Sequence, residues 1–194
     1  MIETPCIIFA GGKSSRMGSD KALLPFGGYS TLVEYQYFRL KKIFSYVFIS
    51  SKSADKFESQ ILKDAVIPDP ISDTFAPTAG FISSFKENHH DKIFVLSVDT
   101  PFVDEKSIMI LFHHDNNKLD ATIAKTENST HPMCGIYHRS LKKEFIKMFE
   151  EDNHKLGFLL KNSETNYVNF DDESLFLNLN HPHEYKEALE KILL

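Results

Sequence analysis

Tryptophan is absent from this 194-residue chain, cysteine occurs only twice, and no apolar run approaches the roughly 20 residues that span a bilayer. Cys6 and Cys134 lack the spacing of a zinc site, and two such cysteines argue against a disulfide scaffold and for a reducing compartment. The first five residues contain no basic segment followed by an apolar one, as a secretory signal would. We therefore expect a cytoplasmic protein with no membrane partner.

An excess of positive charge is also missing, because 22 lysines and arginines stand against 27 aspartates and glutamates, a formal net charge of −5. This balance excludes a global electrostatic footprint for nucleic acid, so any basic site must be local. The sequence has no internal repeat, low-complexity tract or long linker. Its length fits one domain, and we expect residues 1–194 to form a single domain with a substantial core.

The most informative stretch of the chain runs from Cys6 to Lys21. It begins with the apolar run Cys6–Phe9, which is typical of a strand buried on both faces. The small residues Ala10, Gly11 and Gly12 then allow a tight turn and a close approach to a ligand. Hydroxyl groups and cations follow: Lys13, Ser14, Ser15, Arg16 and Lys21. Backbone N–H groups in such a loop form an anion site, which predicts a phosphate chain as the ligand.

Two common phosphate motifs do not describe this stretch. No Lys-Ser/Thr pair follows Gly18, so it is not a Walker A loop, and its glycine spacing is not that of G-x-G-x-x-G. From the residues alone, a surface turn with ordinary solvated charges stays open as the alternative. A hydrophobic strand that leads into a Gly-Gly turn with several cations nevertheless favours phosphate binding.

Residues 10–21 read A-G-G-K-S-S-R-M-G-S-D-K and resemble the A-G-G-x-S-x-R-M-G-x-D-K signature of the MobA-type nucleotidyltransferases. These are molybdenum cofactor guanylyltransferases, which join GMP from GTP to molybdopterin. The resemblance implies Mg²⁺ as cofactor, GTP and molybdopterin as substrates, and other cofactor-biosynthesis proteins or molybdoenzyme delivery chaperones as possible partners. It also implies an α/β, three-layer, Rossmann-like nucleotidyltransferase fold.

The order of the predicted elements agrees with that fold. Strands alternate with helices over short connectors, which is the pattern of a mostly parallel sheet with helices on both faces. The predicted strands are Cys6–Phe9, 46–50, 65–68, 92–98, 120–125, 131–137 and 166–170. The predicted helices are 32–44, 54–62, 79–87 with Thr78 as its cap, one from Val103 or Asp104 to about residue 114, 141–149, 154–160 and one that begins at Pro182. Residues 176–181 lead into this last helix.

Asp99 is the strongest single candidate for catalysis. It follows the apolar run 92–98, which should lie at the centre of the sheet, and precedes Thr100-Pro101. Ligands of such folds bind in the crevice at the carboxyl ends of the strands. Magnesium takes one or two carboxylates together with substrate phosphates, so one aspartate can suffice. The alternative is that Asp99 has a structural role and only orders the turn. In the family that this sequence resembles, the aspartate of this D-x-P element binds the metal.

The resemblance assigns further residues to the two substrates. Asp69 follows Pro68 as in the family's P-D element, although Ala76 and Thr78 depart from its G-P-L-A-G loop. Three residues fall on the acceptor side, in the family's H-P-x-x-G-x-Y and N-x-N elements: His131, Asn178 and Asn180. Taken alone, each could order a turn or strand end. The asparagines alternate with leucines, so they would share one face if extended.

Besides these acceptor-side residues, the predicted site has a nucleotide-binding set and a catalytic set. The nucleotide-binding set comprises Ala10, Gly11, Gly12, Lys13, Ser14, Ser15, Lys21, Asp69 and Asp99. The catalytic set is Arg16, Lys21 and Asp99, with Asp99 as the metal ligand. Three other functions stay open: a transferase that uses CTP or a sugar phosphate, a non-catalytic nucleotide sensor or cofactor-delivery module, and a plain scaffold.

Overall fold

The computed structural model describes residues 1–11, 20–69 and 77–192. Its strands are β1 (Cys6–Phe9), β2 (Val47–Ser51), β3 (Val66–Pro68), β4 (Lys92–Ser97), β5 (Ala121–Lys125), β6 (Thr130–His138) and β7 (Thr165–Asn169). Its helices are α1 (Leu32–Leu40), α2 (Gln60–Asp64), α3 (Pro77–Glu87), α4 (Glu105–His113), α5 (Lys142–Glu150), α6 (Leu156–Lys161) and α7 (Pro182–Ile192). Short 3₁₀ turns lie at Lys21–Leu23, Arg139–Leu141 and Glu173–Phe176.

The strands form one seven-stranded sheet in the order β3-β2-β1-β4-β6-β5-β7. Strand β6 runs antiparallel to both of its neighbours, and the remaining pairs are parallel. The strand predicted to be central, β4, occupies the middle of the sheet. The mostly parallel α/β architecture predicted from the sequence is confirmed.

Alternating residues of the strands divide the core into two layers. On β1, Cys6 and Ile8 pack into one apolar cluster with residues of α1, α4 and α7, whereas Ile7 faces a second cluster with residues of α3, α5 and α6. In the second cluster the rings of Phe81 and Phe145 stack with their centroids 4.2 Å apart. A sheet buried on both faces needs apolar runs of this kind, and the result is the three-layer arrangement.

The strand order positions a binding crevice. Strands β2 and β4 lie on opposite sides of β1, so the chain connections diverge there, and this switch point is where open α/β sheets bind ligands. The carboxyl ends of β1 and β4 lie side by side, with Phe9 paired to Ser97. Because β6 is antiparallel, its first residues, rather than its last, lie at the same edge, where Leu96 pairs with Cys134.

Several predicted boundaries are corrected by the structure. Helix α1 begins as predicted, with the Thr31 hydroxyl accepting from Glu34 N, but it ends at Leu40 instead of residue 44. Residues 54–59 are not helical, and only Gln60–Asp64 form α2. Local bonds such as Asp55 N to Ser53 Oγ (3.0 Å) compete there with helix formation.

Two further predictions near the site also change. Thr78 lies inside α3, which begins at Pro77, so it is not the cap of that helix. Its hydroxyl instead lies 2.8 Å from Nδ1 of His154. Residues 177–180 pair with no strand of the described structure and follow a 3₁₀ turn, although they continue into α7 at Pro182 as expected.

No helix within residues 1–11, 20–69 and 77–192 is both long enough and apolar enough to cross a bilayer.

Candidate active site

A cavity of about 290 Å³ opens at the carboxyl end of β4, beside the first residues of β6. Polar side chains from three parts of the chain line it: Ser97, Asp99, Thr100, His131, Asn178 and Asn180. Four of these are residues that the sequence singled out. The antiparallel β6 and the segment 177–180 form the walls that face β4.

The centre of the site is a polar cluster around Asp99. Lys21 Nζ donates to Asp99 Oδ2 at 2.5 Å and to Asn180 Oδ1 at 2.9 Å. The hydroxyl of Ser97 donates to the other carboxylate oxygen, Oδ1, at 2.5 Å. The Lys21 and Asp99 side chains are each 15% exposed, so the pair is largely enclosed, and Asp99 lines the cavity. In the sequence, Lys21 lies 78 positions from Asp99 and 159 positions from Asn180, and the fold brings these three predicted residues together.

The segment 177–180 is fixed to the turn that carries Asp99. Leu179 N donates to the Asp99 carbonyl at 2.9 Å, and the Thr100 hydroxyl donates to Asn178 Oδ1 at 3.0 Å. At the start of α7, the N–H groups of Asn180 and His181 both donate to Glu184 Oε2. These contacts hold both asparagines beside the cavity without a strand.

His131 forms part of the opposite wall. Its ring stacks on Phe176 with centroids 4.4 Å apart and an angle of 16° between the ring planes. Burial lowers the pKa of His131, partly opposed by the charge of Glu173. The Nε2 of His131 lies 3.4 Å from Thr126 Oγ1 and 3.3 Å from Ser129 Oγ, which leaves Nδ1 for a ligand in the cavity.

Asp69 lies against the start of the glycine-rich stretch and not in this cavity. Its Oδ1 accepts from Ser50 Oγ at 2.7 Å, and a Cβ on Gly11 would be 3.1 Å from its Oδ2. Burial raises the pKa of Asp69, while the Ser50 hydrogen bond and the charges of Lys52 and Lys56 oppose this. The close approach explains why a glycine suits position 11.

Lys56 contacts both ends of the glycine-rich stretch, which the sequence did not reveal. Its Nζ donates to the Ala10 carbonyl at 2.8 Å and to Asp20 Oδ2 at 3.0 Å. Ala10 and Asp20 flank the glycine-rich stretch, so one cation joins its two ends. The predicted helix over 54–62 concealed this residue, which lies in the irregular segment before α2.

Five predicted nucleotide-binding or catalytic residues lie outside the described residues. They are Gly12, Lys13, Ser14, Ser15 and Arg16. Their predicted roles stay predictions, as do the roles assigned to the residues that line the cavity.

The donors around the cavity suit a hard cation. Asp99 offers carboxylate oxygens, and Asn178 and Asn180 offer amide oxygens. Among the described residues no group of three or more His, Cys, Asp or Glu side chains could hold a metal by itself. One carboxylate that shares a cation with substrate phosphates is the arrangement magnesium prefers, so these residues fit Mg²⁺. Cys134 is a poor ligand, because burial raises its pKa to about 12.

Comparison with known proteins finds relatives over nearly the whole chain. The family model described as the MobA-like NTP transferase domain matches residues 6–166. A Campylobacter jejuni protein named molybdenum cofactor guanylyltransferase is 37% identical over 193 residues, covering 98% of this chain and 97% of its own. A Helicobacter pylori protein of the same name is 35% identical, covering 96% of this chain and 92% of its own.

A solved structure shares the fold. It is molybdopterin-guanine dinucleotide biosynthesis protein A from Archaeoglobus fulgidus, with a TM-score of 0.80 and 20% identity. The similarity covers 97% of this chain and 98% of that one.

Proposed function

This chain belongs to the family of MobA-like NTP transferase domains, and from that premise we propose that it transfers GMP from GTP to molybdopterin, with release of pyrophosphate. Support for the guanylyl group and the acceptor comes from the relatives named molybdenum cofactor guanylyltransferase at 35–37% identity. The structural observation that carries the proposal is the Lys21–Asp99 pair, which lies at the carboxyl end of β4 beside the cavity.

The proposed reaction needs no nucleophile from the protein. A phosphate oxygen of the acceptor attacks the α-phosphorus of GTP, a new P–O bond forms, and the bond to the β-phosphate oxygen breaks. Pyrophosphate leaves with the electron pair. Such chemistry asks a protein chiefly for positioning and for charge stabilisation.

The described residues can supply both. Lys21 Nζ, held by Asp99 and Asn180, places a cation at the cavity edge where charge develops on the phosphates. Mg²⁺ held by Asp99 would supply further positive charge shared with phosphate oxygens. His131, Asn178 and Asn180 also line the cavity, where they can form hydrogen bonds with molybdopterin. By the same proposal, the N-terminal glycine-rich stretch binds the triphosphate.

The test is pyrophosphate release in the presence of Mg²⁺ and molybdopterin, with GTP, CTP, ATP and UTP compared in parallel. We expect release that depends on the acceptor and on GTP. Release with CTP alone, or with a sugar phosphate as acceptor, would replace the guanylyl assignment by a related nucleotidyl transfer. Nucleotide binding with no release under any condition would overturn catalysis and favour a delivery module.

A further inference from the structure

The turn that carries Asp99 is held from behind by a side chain of α1. Gln36 is completely buried, and its Nε2 lies 3.1 Å from the Val98 carbonyl and 3.2 Å from that of Thr100. The Ser97 carbonyl is 3.4 Å from the same nitrogen. An amide NH₂ has two protons, so these three carbonyls share them. One side chain therefore contacts the backbone on both sides of Asp99.

The remaining carbonyl of the turn is satisfied from the opposite side. The Asp99 carbonyl accepts from Leu179 N, in the segment that bears the two asparagines. The Asp99 side chain is itself held by Ser97 and Lys21. Gln36 thus ties the backbone of this turn to α1, while Val98 N donates to the Phe9 carbonyl of β1 at 3.0 Å on the sheet side.

Arg39 determines which way the Gln36 amide points. Its Nε donates to Gln36 Oε1 at 2.6 Å, and its Nη1 donates to the Val103 carbonyl at 2.7 Å, beyond the turn. A guanidinium only donates, so the oxygen of Gln36 must face Arg39 and the NH₂ must face the carbonyls. The Arg39 Nη2 is enclosed and has no hydrogen-bond partner within the described part of the chain.

This arrangement is costly as a purely structural device. A buried amide and an enclosed guanidinium nitrogen lose hydration, which an apolar residue would avoid, but an apolar residue would also leave the carbonyls of Val98 and Thr100 without this donor. Gln36 lies on the buried face of α1 between Val33 and Leu40, where the helical pattern calls for an apolar side chain. A polar residue retained at such a position points to a demand made by the turn that it contacts.

We propose that Gln36 is a positioning residue that fixes Asp99 for metal and phosphate binding, and that Arg39 orients the Gln36 amide for this role. The proposal rests on the proposed function, because it assigns Asp99 to the metal. Groups that orient metal ligands typically contribute about 10–100-fold to metal affinity or activity.

The decisive variant is Gln36→Glu, which keeps the shape and the acceptor for Arg39 but replaces the NH₂ donor with an oxygen. Mn²⁺ serves as the probe, and its binding is followed by the EPR signal of the unbound ion. Samples with and without protein are compared at the same GTP concentration, because GTP itself binds Mn²⁺. We expect the Mn²⁺ affinity to fall about 10–100-fold and kcat to fall similarly. Both are measured well below the melting temperature, so that a loss of folded protein does not enter.

The matched control is Gln60→Glu, the same substitution on an exposed face of α2, where Nε2 of Gln60 donates to Asp64 Oδ1 at 2.7 Å. It should leave Mn²⁺ affinity and kcat unchanged. If Gln36→Glu does not fold, Gln36→Met provides a neutral side chain of similar length that also lacks the donor. Arg39→Lys, which cannot reach Gln36 and Val103 together, should show a smaller loss of both quantities.

The outcomes separate this inference from the proposed function. Mn²⁺ affinity and kcat within about twofold of the unchanged protein in a folded Gln36 variant would overturn the positioning role, since a tenfold change is the least expected. If the unchanged protein binds Mn²⁺ but does not transfer GMP, the proposed reaction is overturned. The Mn²⁺ affinity of the Gln36 variants then still tests the positioning role of Gln36. No Mn²⁺ binding by the unchanged protein would overturn both.

Discussion

The Lys21–Asp99 pair joins a cation and a carboxylate at 2.5 Å, and each group has a different part in the proposed reaction. We expect Lys21→Ala and Asp99→Ala each to lower kcat by about 10²–10³, the usual effect of removing one preorganised charge-stabilising group. Steady-state pyrophosphate release checks this. Lys118→Ala, an exposed lysine before β5 at the opposite edge of the sheet, is the control. Unchanged turnover in either site variant, with an unchanged melting temperature, would contradict the mechanism.

Lys56 leads to a second expectation at the scale of the residue. Lys56→Met keeps most of the side-chain length but removes the bonds to Ala10 and Asp20. The pair is partly exposed, so its contribution should be at most about 1 kcal/mol, which corresponds to about a 2–5-fold weaker nucleotide affinity. Calorimetric titration with GTP measures this, with Lys118→Met as the control. Equal affinity in the two variants would show that Lys56 does not influence the nucleotide site.

Single residues also show where sequence reasoning succeeds. Asp99, Lys21 and Asn180 were predicted because each lies in a motif, and the structure places them in one cluster. The sequence did not predict Lys56 or Gln36. Lys56 contacts the Ala10 carbonyl and the Asp20 carboxylate, and Gln36 contacts carbonyls of the turn around Asp99. These partners are distant along the chain, so no local pattern marks the contacts. One feature of the sequence could have indicated Gln36, because it places an amide on the apolar stripe of a predicted helix.

At the scale of the element, the contact of α3 with β1 and β2 depends on Gly80. A Cβ at this position would be 2.6 Å from a ring carbon of Phe9 and would also collide with Ser50 Oγ. We expect Gly80→Ala to destabilise the fold by about 1–3 kcal/mol, the usual cost of overpacking. Urea unfolding measures it. The same variant should weaken nucleotide binding, because Ser50 holds Asp69.

The matched substitution is Gly157→Ala in α6. An added Cβ there meets no atom within 4 Å, so alanine should stabilise the protein by about 0.4–1 kcal/mol through the unfolded state. Opposite signs for the two substitutions are therefore expected. A Gly80→Ala midpoint equal to or above that of the unchanged protein would show that α3 can shift without loss.

The sequence predicts that a helix exists more reliably than it predicts where the helix begins and ends. Hydrophobic spacing located α1 correctly, but Phe44 at helical spacing leaves the helix to form a bridge with Ile2. Tertiary pairing overrides local periodicity there. Before α2, Ser53 Oγ accepts from Asp55 N and donates to Asp55 Oδ2, and such local bonds compete with helix formation.

At the scale of the whole molecule, the alternation of strands and helices was enough to predict a mostly parallel sheet. It could not predict that β6 inserts antiparallel between β4 and β5, because that choice depends on long-range pairing. The inversion matters for function, since it brings His131 to the same edge as Asp99. The resemblance placed both residues in one cleft, and the sheet order supplies the physical reason.

The opposite edge of the sheet contains a polar network that should govern acid stability. The Asp115 side chain is fully enclosed and accepts from Lys92 on β4 (2.6 Å), Thr122 on β5 (2.8 Å) and His138 on β6 (3.0 Å). Burial alone would raise the pKa of Asp115, but the hydrogen bonds from His138, Lys92 and Thr122 outweigh it and lower the pKa. Three neighbouring strands are thus joined through one ionised carboxylate.

Because folding lowers this pKa, the stabilisation is fully present above the unfolded value of about 3.9 and is lost as the pH falls through the folded-state pKa. Asp115→Asn should therefore destabilise the protein most at neutral pH, and the difference in unfolding free energy should shrink as the pH falls below about 4. Urea unfolding from pH 7 to pH 3 measures it. A pH-independent difference would mean that packing, and not ionisation of Asp115, explains the loss. Mn²⁺ and GTP binding by the folded variant at pH 7 should be unchanged, because Asp115 lies at the edge of the sheet opposite Asp99.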